Sequence, residues 1–576
     1  MRITAIAFLV FAAACTFDVD HGDGVVACGV DGLCPEGLTC STATNTCVLV
    51  PPGGGDGENG DACTGAGDCK SGLCVDGVCC DSLCDGQCEA CDVAGAEGAC
   101  VPISGDPHGN RDGCAGSGTV CAGTCDGESR ATCAYPTVEC SAAECNGSVS
   151  TEPALCAEGV CPAPAETDCA ATSGTPYCAP SGCVGVTQLA AGYDFTCALM
   201  TDRTVMCWGA NYRGQLAQGD DMKGVADTTA RDVPTQVPDL TDVTKLSADV
   251  AFGGHVCALK SDKTAACWGS NFFGQHSIGS TDSDPHPTPT PLMQSSTVVQ
   301  PDINDISTGQ GFTCFVDTSN TAHCVGFNFY GQLGDSTLGD GADKVFPVRA
   351  GTAGEYGLIW SGYSHSCGTM GRASPSSVKC WGSNGSLGVG VTSPSSVSTP
   401  VLAAGFTTLN GTLAQPIGTG GNGVSCGIAN NSVLNCWGYN SRGQLGRGTS
   451  GAATSSASAA PVCKVNIVNC SGVGNELNLT TSFGIGEFAS CAVADDDVYC
   501  WGTNNHGQLG DGSFDNRFFA QPIALAVDAE QVAVGGFHAC AVLTDGSVRC
   551  WGWNNDGQLG DGDPGTDRAD PVEPIF

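Results

Sequence analysis

The sequence predicts an all-β chain, a seven-bladed β-propeller behind an N-terminal disulfide-rich, loop-dominated region. Three observations lead there. A cysteine pair with an Asn four residues past its second cysteine recurs seven times, with Trp-Gly in every copy but the third (Val325) and Gly-Gln in every copy but the fourth, where "NGSLG" is two residues short. The second cysteines are Cys207, Cys267, Cys324, Cys380, Cys436, Cys500 and Cys550, so the spacing runs from 50 residues (500 to 550) to 64 (436 to 500). Self-similarity at a near-fixed period of this order marks a repeat architecture. Within each copy, short β-prone runs alternate with Gly/Asn/Asp turns, as one four-stranded blade per repeat requires. Ahead of the repeats, Cys63 to Cys183 carries twenty cysteines and few Leu, Ile or Phe, too little apolar side chain for a conventional core.

Composition bounds the rest. The 576 residues include 41 Cys and 84 Gly, with 60 acidic against 21 basic side chains, a formal net charge of −39. That surface repels phosphate backbones and argues against nucleic-acid partners. The cysteine count points to an oxidising compartment.

Taken from the N-terminus, "MRITAIAFLVFAAAC" has one Arg, an apolar run too short to span a bilayer, and small residues before Cys15. Residues 1–14 read as an export signal. Small residues directly before a cysteine resemble a bacterial lipoprotein signal, which implies lipidation of Cys15, although Ala12 stands where Leu is commoner. Removing Cys15 from 41 leaves an even forty to pair; ordinary cleavage after Ala14 is the alternative. By the same resemblance, Thr16 rather than Asp after the lipid site implies the outer membrane or cell surface, with secretion as the alternative. Residues 15–62 form a tether, a four-cysteine module (Cys28 to Cys47) and a Gly/Pro linker.

Residues 63–183 form the cysteine-rich region. Gly72 to Gly109 resembles a segment at the front of exported proteins of the myxobacteria, for which no activity is implied. Cys84-x3-Cys88-x2-Cys91 and Cys121-x3-Cys125 lie within zinc-ligand spacing, but an even count in an exported chain favours disulfides. Their connectivity stays open.

Residues 184–576 carry the repeats. In the second copy, "TDVTKLSAD" (Thr241 to Asp249), "GHVCAL" (Gly254 to Leu259) and "TAACWG" (Thr264 to Gly269) read as strands, "KSDK" as a turn, and Pro-flanked segments such as Val233 to Leu240 as a fourth strand. In five copies the cysteines lie ten apart, opposite each other across a hairpin, within disulfide reach. The expected blade pairs are Cys197 with Cys207, Cys257 with Cys267, Cys314 with Cys324, Cys367 with Cys380, Cys426 with Cys436, Cys491 with Cys500 and Cys540 with Cys550. Cys463 and Cys470 are expected to close a small loop of their own. The Trp after each second cysteine, replaced by Val325 in the third copy, faces the other side of its strand and is expected to fill the space between blades. The Asn four residues past that cysteine is a turn-former in all seven copies. "ADPVEPIF" (Ala569 to Phe576) is expected to complete the first blade and latch the ring.

These motifs, best seen in "GGFHACAVLTDGSVRCWGWNNDGQLGDG" (Gly535 to Gly562), are similar to the repeat of the regulator of chromosome condensation family, a seven-bladed propeller. The resemblance implies guanine-nucleotide exchange or protein binding through one face of the ring. No catalytic residue, cofactor site or metal box emerges from the residues. His255, His365 and His538 stand where Phe195 and Phe312 stand in other copies, which indicates packing. Asp335, Asp340, Asp343, Asp511, Asp515, Asp561, Asp563, Asp567 and Asp570 follow the Gly-Gln turns; clustered carboxylates suit calcium, but no known calcium-loop spacing is present. The reading is a monomeric, non-enzymatic binding scaffold at the cell envelope, membrane-held by its lipid. Its partner is another protein or a cell-surface ligand, met by loops including Asp220–Asp232, Gly279–Gln294 and Gly451–Asn478. The alternatives are an exchange-factor-like activity or an enzyme site at the channel mouth.

Overall fold

The computed structural model describes residues 34, 38–41, 45–49, 55–146, 149–171, 174–179, 181–220, 225–251, 254–371, 377–384, 388–403, 417–467, 470 and 474–576. The chain divides into two compact units. One comprises residues up to Glu144 together with Thr151–Glu166; the other comprises Cys145–Ser150 and Thr167–Phe576.

The first unit is held by sulfur. Its described disulfides join Cys34–Cys47, Cys63–Cys74, Cys69–Cys79, Cys80–Cys91, Cys84–Cys100, Cys88–Cys125, Cys114–Cys133, Cys121–Cys156 and Cys140–Cys161. The buried clusters are cysteines with a few flanking Leu, Ile, Val and Tyr side chains. Every cysteine of the two zinc-like spacings is in a disulfide. Most strands are two or three residues long, as expected where cross-links substitute for a core.

The second unit contains seven four-stranded antiparallel sheets, each made of four consecutive strands. Blade 1 is Val186–Ala191, Phe195–Met200, Val205–Gly209 and Arg231–Gln236. Blade 2 is Val243–Ala248, His255–Lys260, Ala265–Ser270 and Pro285–Pro291. Blade 3 is Ile303–Gly309, Phe312–Asp317, Ala322–Gly326 and Lys344–Arg349. Blade 4 is Tyr356–Ser361, His365–Met370, Val378–Ser383 and Ser396–Leu402. Blade 5 is Ile417–Thr419, Val424–Ile428, Leu434–Gly438 and Ser456–Pro461. Blade 6 is Thr480–Ile485, Ala489–Ala494, Asp497–Gly502 and Arg517–Pro522. Blade 7 is Ala529–Val534, His538–Leu543, Val548–Gly552 and Arg568–Val572. First strands pack on the first strands of both neighbours, and the first strand of blade 7 packs on that of blade 1, which closes the ring.

The cysteines of each blade are direct partners across strands two and three, for example Cys257↔Cys267. All seven pairs are disulfides with Cα atoms 4.0 to 4.1 Å apart. Cys463–Cys470 is a separate disulfide. Blade 3 has Val325 behind its disulfide; behind the other six a Trp points to the preceding blade and is completely buried. Its indole N–H donates to a backbone carbonyl there: Trp208 to Gln558, Trp268 to Gln215, Trp381 to Gln332, Trp437 to Gly388, Trp501 to Gln444 and Trp551 to Gln508, at 2.7 to 3.0 Å. A buried indole needs such an acceptor, so one side chain supplies both apolar area and a blade-to-blade hydrogen bond.

The expected latch is corrected by the topology. Arg568–Val572 pairs with Val548–Gly552 of its own blade, not with blade 1. The Pro-bearing strand, which holds Pro234 in blade 1 and Pro571 in blade 7, lacks a donor and therefore takes the outer edge, beside the strand that precedes it. No strand is shared between the two blades. Side chains close the seam instead. Gln531 Oε1 accepts from the Leu189 N–H, Trp208 bonds to Gln558, and Phe576 packs edge-on against Trp208 with ring centroids 5.7 Å apart. Tyr177 stacks on Phe576 at 4.0 Å and accepts the Val548 N–H. The Gly174 N–H also donates to Asp545 O, so the segment just before blade 1 lies along the same seam.

Candidate functional site

In an up-and-down blade, the loops joining strands one to two and three to four emerge at one end. The turns joining strands two to three, and the passage to the next blade, emerge at the other. The Asn-x-x-Gly-Gln segment belongs to the first end. Its Asn Oδ1 accepts the N–H five residues on, as Asn271 does from His276 and Asn328 from Leu333. The Gln Oε1 accepts the N–H two residues back, as Gln275 does from Phe273 and Gln332 from Tyr330. The repeated residues therefore fix the turn, and the two residues between Asn and Gly are held outward.

Those two tip residues differ around the ring. They are Tyr212/Arg213, Phe272/Phe273 and Phe329/Tyr330 in blades 1 to 3, and Ser441/Arg442, Asn505/His506 and Asn555/Asp556 in blades 5 to 7. Tyr212 is 45% exposed, Phe272 55%, Phe329 41% and Tyr330 37%, high values for side chains of this size. Phe327, one residue before Asn328, lies under the tips: its ring centroid is 4.4 Å from Phe273 and 6.3 Å from Tyr330, and Phe329 meets Tyr330 at 5.0 Å. Blades 2 and 3 therefore present five clustered rings. A second cluster, Tyr193, Phe488, His506, Phe537 and Trp553, spans blades 6, 7 and 1 and is more enclosed.

At the centre of the same end, glycines close the loops onto one another. A Cβ on Gly309 would meet Gly362 O at 2.5 Å, one on Gly486 would meet Gly535 O at 2.2 Å, and one on Gly535 would meet Gly192 O at 2.4 Å. None of these contacts needs a left-handed backbone; they need the space. Blade 2 departs from the pattern. Its first strand runs into a fully buried Asp249, whose carboxylate is 3.6 Å from His255 Nδ1 and accepts the Ala251 N–H. Burial raises the Asp249 pKa, and burial raises Asp194 to about 6. Asp194 interacts with Tyr212 and Gln215 in its own blade and with Asp556 of blade 7; Asp249 interacts with His255 in blade 2 and with the Gly311 N–H of blade 3, and both carboxylates act on the Tyr212 hydroxyl.

The three equivalent histidines tie blades together. His255 Nε2 lies 3.0 Å from Thr313 Oγ1, His365 Nε2 2.8 Å from Ser425 Oγ, and His538 Nε2 2.8 Å from Thr196 Oγ1. Ser425 and Thr196 donate their protons to the Gly388 and Gln558 carbonyls, so His365 and His538 are the donors in their pairs. Burial lowers His365 to about 4 and His538 to about 3, which keeps both neutral.

The aspartates after the Gly-Gln turns are loop caps. Asp335, Asp511 and Asp561 each accept from the Nδ2 of the repeat Asn, and each sits beside Lys344, Arg517 or Arg568. Their lone pairs are used within the loop. Of the three variable loops expected to bind, the described parts before the fourth strand (Asp220, Val225–Ala230, Gly279–Asp284 and Gly451–Ser455) emerge on the aromatic end. Leu292–Gln294 and the described residues after Val462 emerge at the opposite end. A shallow depression of about 340 Å³ on that opposite end is lined by Leu240, Lys260, Pro289 and Pro291, among others. Cys15 lies outside the described residues. Sequence reasoning missed both the aromatic arc and the glycine closure. A signal existed for each: paired rings between Asn and Gly in adjacent copies, and a Gly three residues before the His or Phe of strand two.

Fold and face together define a repeat propeller that presents a rigid, uneven loop surface. The propeller carries repeats of a known kind: models of the "Regulator of chromosome condensation (RCC1) repeat" match residues 186–215, 529–558 and 495–542. It is similar to the human probable E3 ubiquitin-protein ligase HERC4, 28% identical over 218 residues, which cover 36% of this chain and 19% of the ligase. It is also similar to the ultraviolet-B receptor UVR8 of Arabidopsis thaliana, 25% identical over 352 residues, covering 60% and 71% of the two chains. The alignment spans about a fifth of the HERC4 length. Among solved structures, Prp20p of Saccharomyces cerevisiae superposes with a TM-score of 0.51 at 18% identity, over 68% of this chain and 87% of that one. Human WBSCR16 gives 0.51 at 18% identity, over 65% and 95%. These likenesses show the fold.

Proposed function

We propose that this is an exported protein, lipid-anchored at the cell envelope through Cys15, whose propeller is a non-enzymatic scaffold that binds another protein on its loop face. The observation that carries the reading is the contrast within that face: in six of the seven blades the repeated Asn, Gly and Gln make a common frame, and the residues held outward change from blade to blade. Repeat scaffolds recognise partners through what is not repeated. The disulfides support an oxidising compartment. Among the described residues no helix is long and apolar enough to cross a membrane.

The test is crosslinking capture from intact cells with the full chain, beside Cys15→Ser. The expected result is one enriched envelope protein with the native chain, and release of Cys15→Ser from the membrane fraction. An even spread of captured proteins sinks the scaffold reading; membrane retention of the variant sinks the anchor. Exchange activity is the second reading. It is favoured by the fold shared with Prp20p, a protein described with binding to Gsp1p and histones. Accelerated nucleotide release from a small GTPase would support it.

A further inference from the structure

We propose that the five-ring cluster of blades 2 and 3 is a docking site for a Lys/Arg-rich segment of a partner protein. This rests on the scaffold reading and narrows it to one part of the ring and one chemistry.

Three features of the surface select a cation. The first is apolar and exposed: Phe272, Phe329 and Tyr330 stand at 55%, 41% and 37% exposure on turn tips, with Phe273 and Phe327 beneath them. Ring faces are electronegative and attract guanidinium and ammonium groups. The second is charge. The two loops that carry the rings, residues 271–284 and 327–343, hold five aspartates (282, 284, 335, 340 and 343) and no Lys or Arg. Asp282 bonds to His286, and Asp335 lies beside Lys344. Asp284, Asp340 and Asp343 remain exposed on their loops. Asp343 accepts the Asn328 N–H, and the Gly339 N–H donates to Phe329 O, so Asp340 and Asp343 are held beside the rings. The third is rigidity. The Phe273 and Tyr330 N–H groups are held by Gln275 and Gln332, so little ordering is needed on binding.

These features exclude other occupants. A neutral apolar partner would cover the rings but bury the flanking carboxylates without a counter-charge, which is costly. Anionic lipid and nucleic acid are repelled by the same carboxylates. A basic segment places its charges over the rings and against Asp340 and Asp343 together. The opposite arc has Ser441, Asn505 and Asn555 at the first tip position, and its ring cluster, centred on Phe537, is more enclosed.

The experiment is fluorescence anisotropy of a short labelled Arg-Gly repeat peptide with the full chain, against an Asp-Gly peptide of equal length. The native chain should bind the basic peptide alone. Phe272→Ser with Phe329→Ser should weaken it about tenfold or more. Phe514→Ser, an exposed ring on blade 6, should leave it unchanged. Asp340→Asn with Asp343→Asn should weaken binding and flatten its salt dependence. Should the double serine variant melt early, Tyr330→Ser supplies the reading. Three results overturn the proposal: no binding of the basic peptide by the native chain at low salt; equal binding by native and ring variants, which reduces it to net charge; or ring-dependent binding to phosphatidylcholine vesicles in place of peptide. The cellular partner separates this proposal from the broader one. Capture that survives loss of the rings leaves the scaffold and removes this site. Peptide binding without a captured partner removes the scaffold role and leaves the site.

Discussion

The propeller unit and the cysteine-rich unit use the same bond for different purposes. In the blades, each disulfide joins strands that already share a ladder, and it sits between apolar faces filled by six tryptophans. In the first unit, the disulfides join two- and three-residue strands and turns with few apolar side chains between them, and sulfur atoms make up most of the buried clusters. A cross-link added to a core reinforces it; a cross-link without a core replaces it.

The sharpest way to break this comparison is reduction. In mild denaturant with thiol, hydrogen exchange should show residues 63–144 fully unprotected while the first and second strands of the blades stay protected. Equal loss in both units would refute it. Next in size is Trp501→Ala, which removes an indole from between blades 5 and 6 together with its bond to Gln444. A loss of about 3–5 kcal/mol is expected, read from chemical denaturation.

Acid should act through the blade-to-blade histidines. His365 and His538 have folded values of about 4 and about 3, below the unfolded value of 6.5. The unfolded chain therefore binds more protons, and the stability fully present above pH 6.5 is lost as pH falls through the folded values. Each tenfold difference in proton affinity between folded and unfolded chain is worth about 1.4 kcal/mol, so each histidine gives an acid sensitivity of a few kcal/mol, larger for His538 than for His365. His538→Phe, using the residue found in blades 1 and 3, should flatten the pH dependence of Tm below 6.5 and leave Thr196 bonded to the Gln558 carbonyl. An unchanged slope would exclude this histidine as a source.

Smaller still is the loss of one blade disulfide. Cys257→Ala with Cys267→Ala should cost ~2–3 kcal/mol and leave the ring intact, whereas the same change at Cys88 and Cys125 should unfold the surrounding loops. Last is the seam. Phe576→Ala should cost ~1–2 kcal/mol through lost contact with Trp208 and Tyr177, and deletion of 569–576 should cost more, because it removes most of the outer strand of blade 7. A melting curve unchanged by the deletion would contradict the seam contacts.

Much of the fold was legible because the repeat supplied seven readings of one pattern. Comparing copies separates frame from variation: Trp208 and its equivalents in one role, Asn211 and its equivalents in another. The latch was not legible, because a Pro-flanked strand can in principle be placed before or after its repeat. Only the pairing of Arg568–Val572 with Val548–Gly552 sets the phase. Exchange with Phe marks the histidines as packing residues and conceals their hydrogen bonds. Their hydroxyl partners are more than fifty residues away in sequence, on the next blade. The aromatic arc was present as letters, but its exposure depends on where the turn aims each side chain.

Within one repeat the letters go far: they place the strands to within a few residues, although the fourth strand of blade 1 is Arg231–Gln236 and not Val233–Leu240, and they give the disulfide partners across the hairpin, the Trp on the opposite side and the Asn-Gly-Gln turn. All of these follow from interactions local to that repeat. What happens between repeats was settled only by the folded ring: the phase of the blades, the seam held by Phe576 and Tyr177, the glycine closure at the centre, and which rings stand together on one end. Those depend on contacts between residues distant in sequence, and spacing within a single repeat carries no information about them.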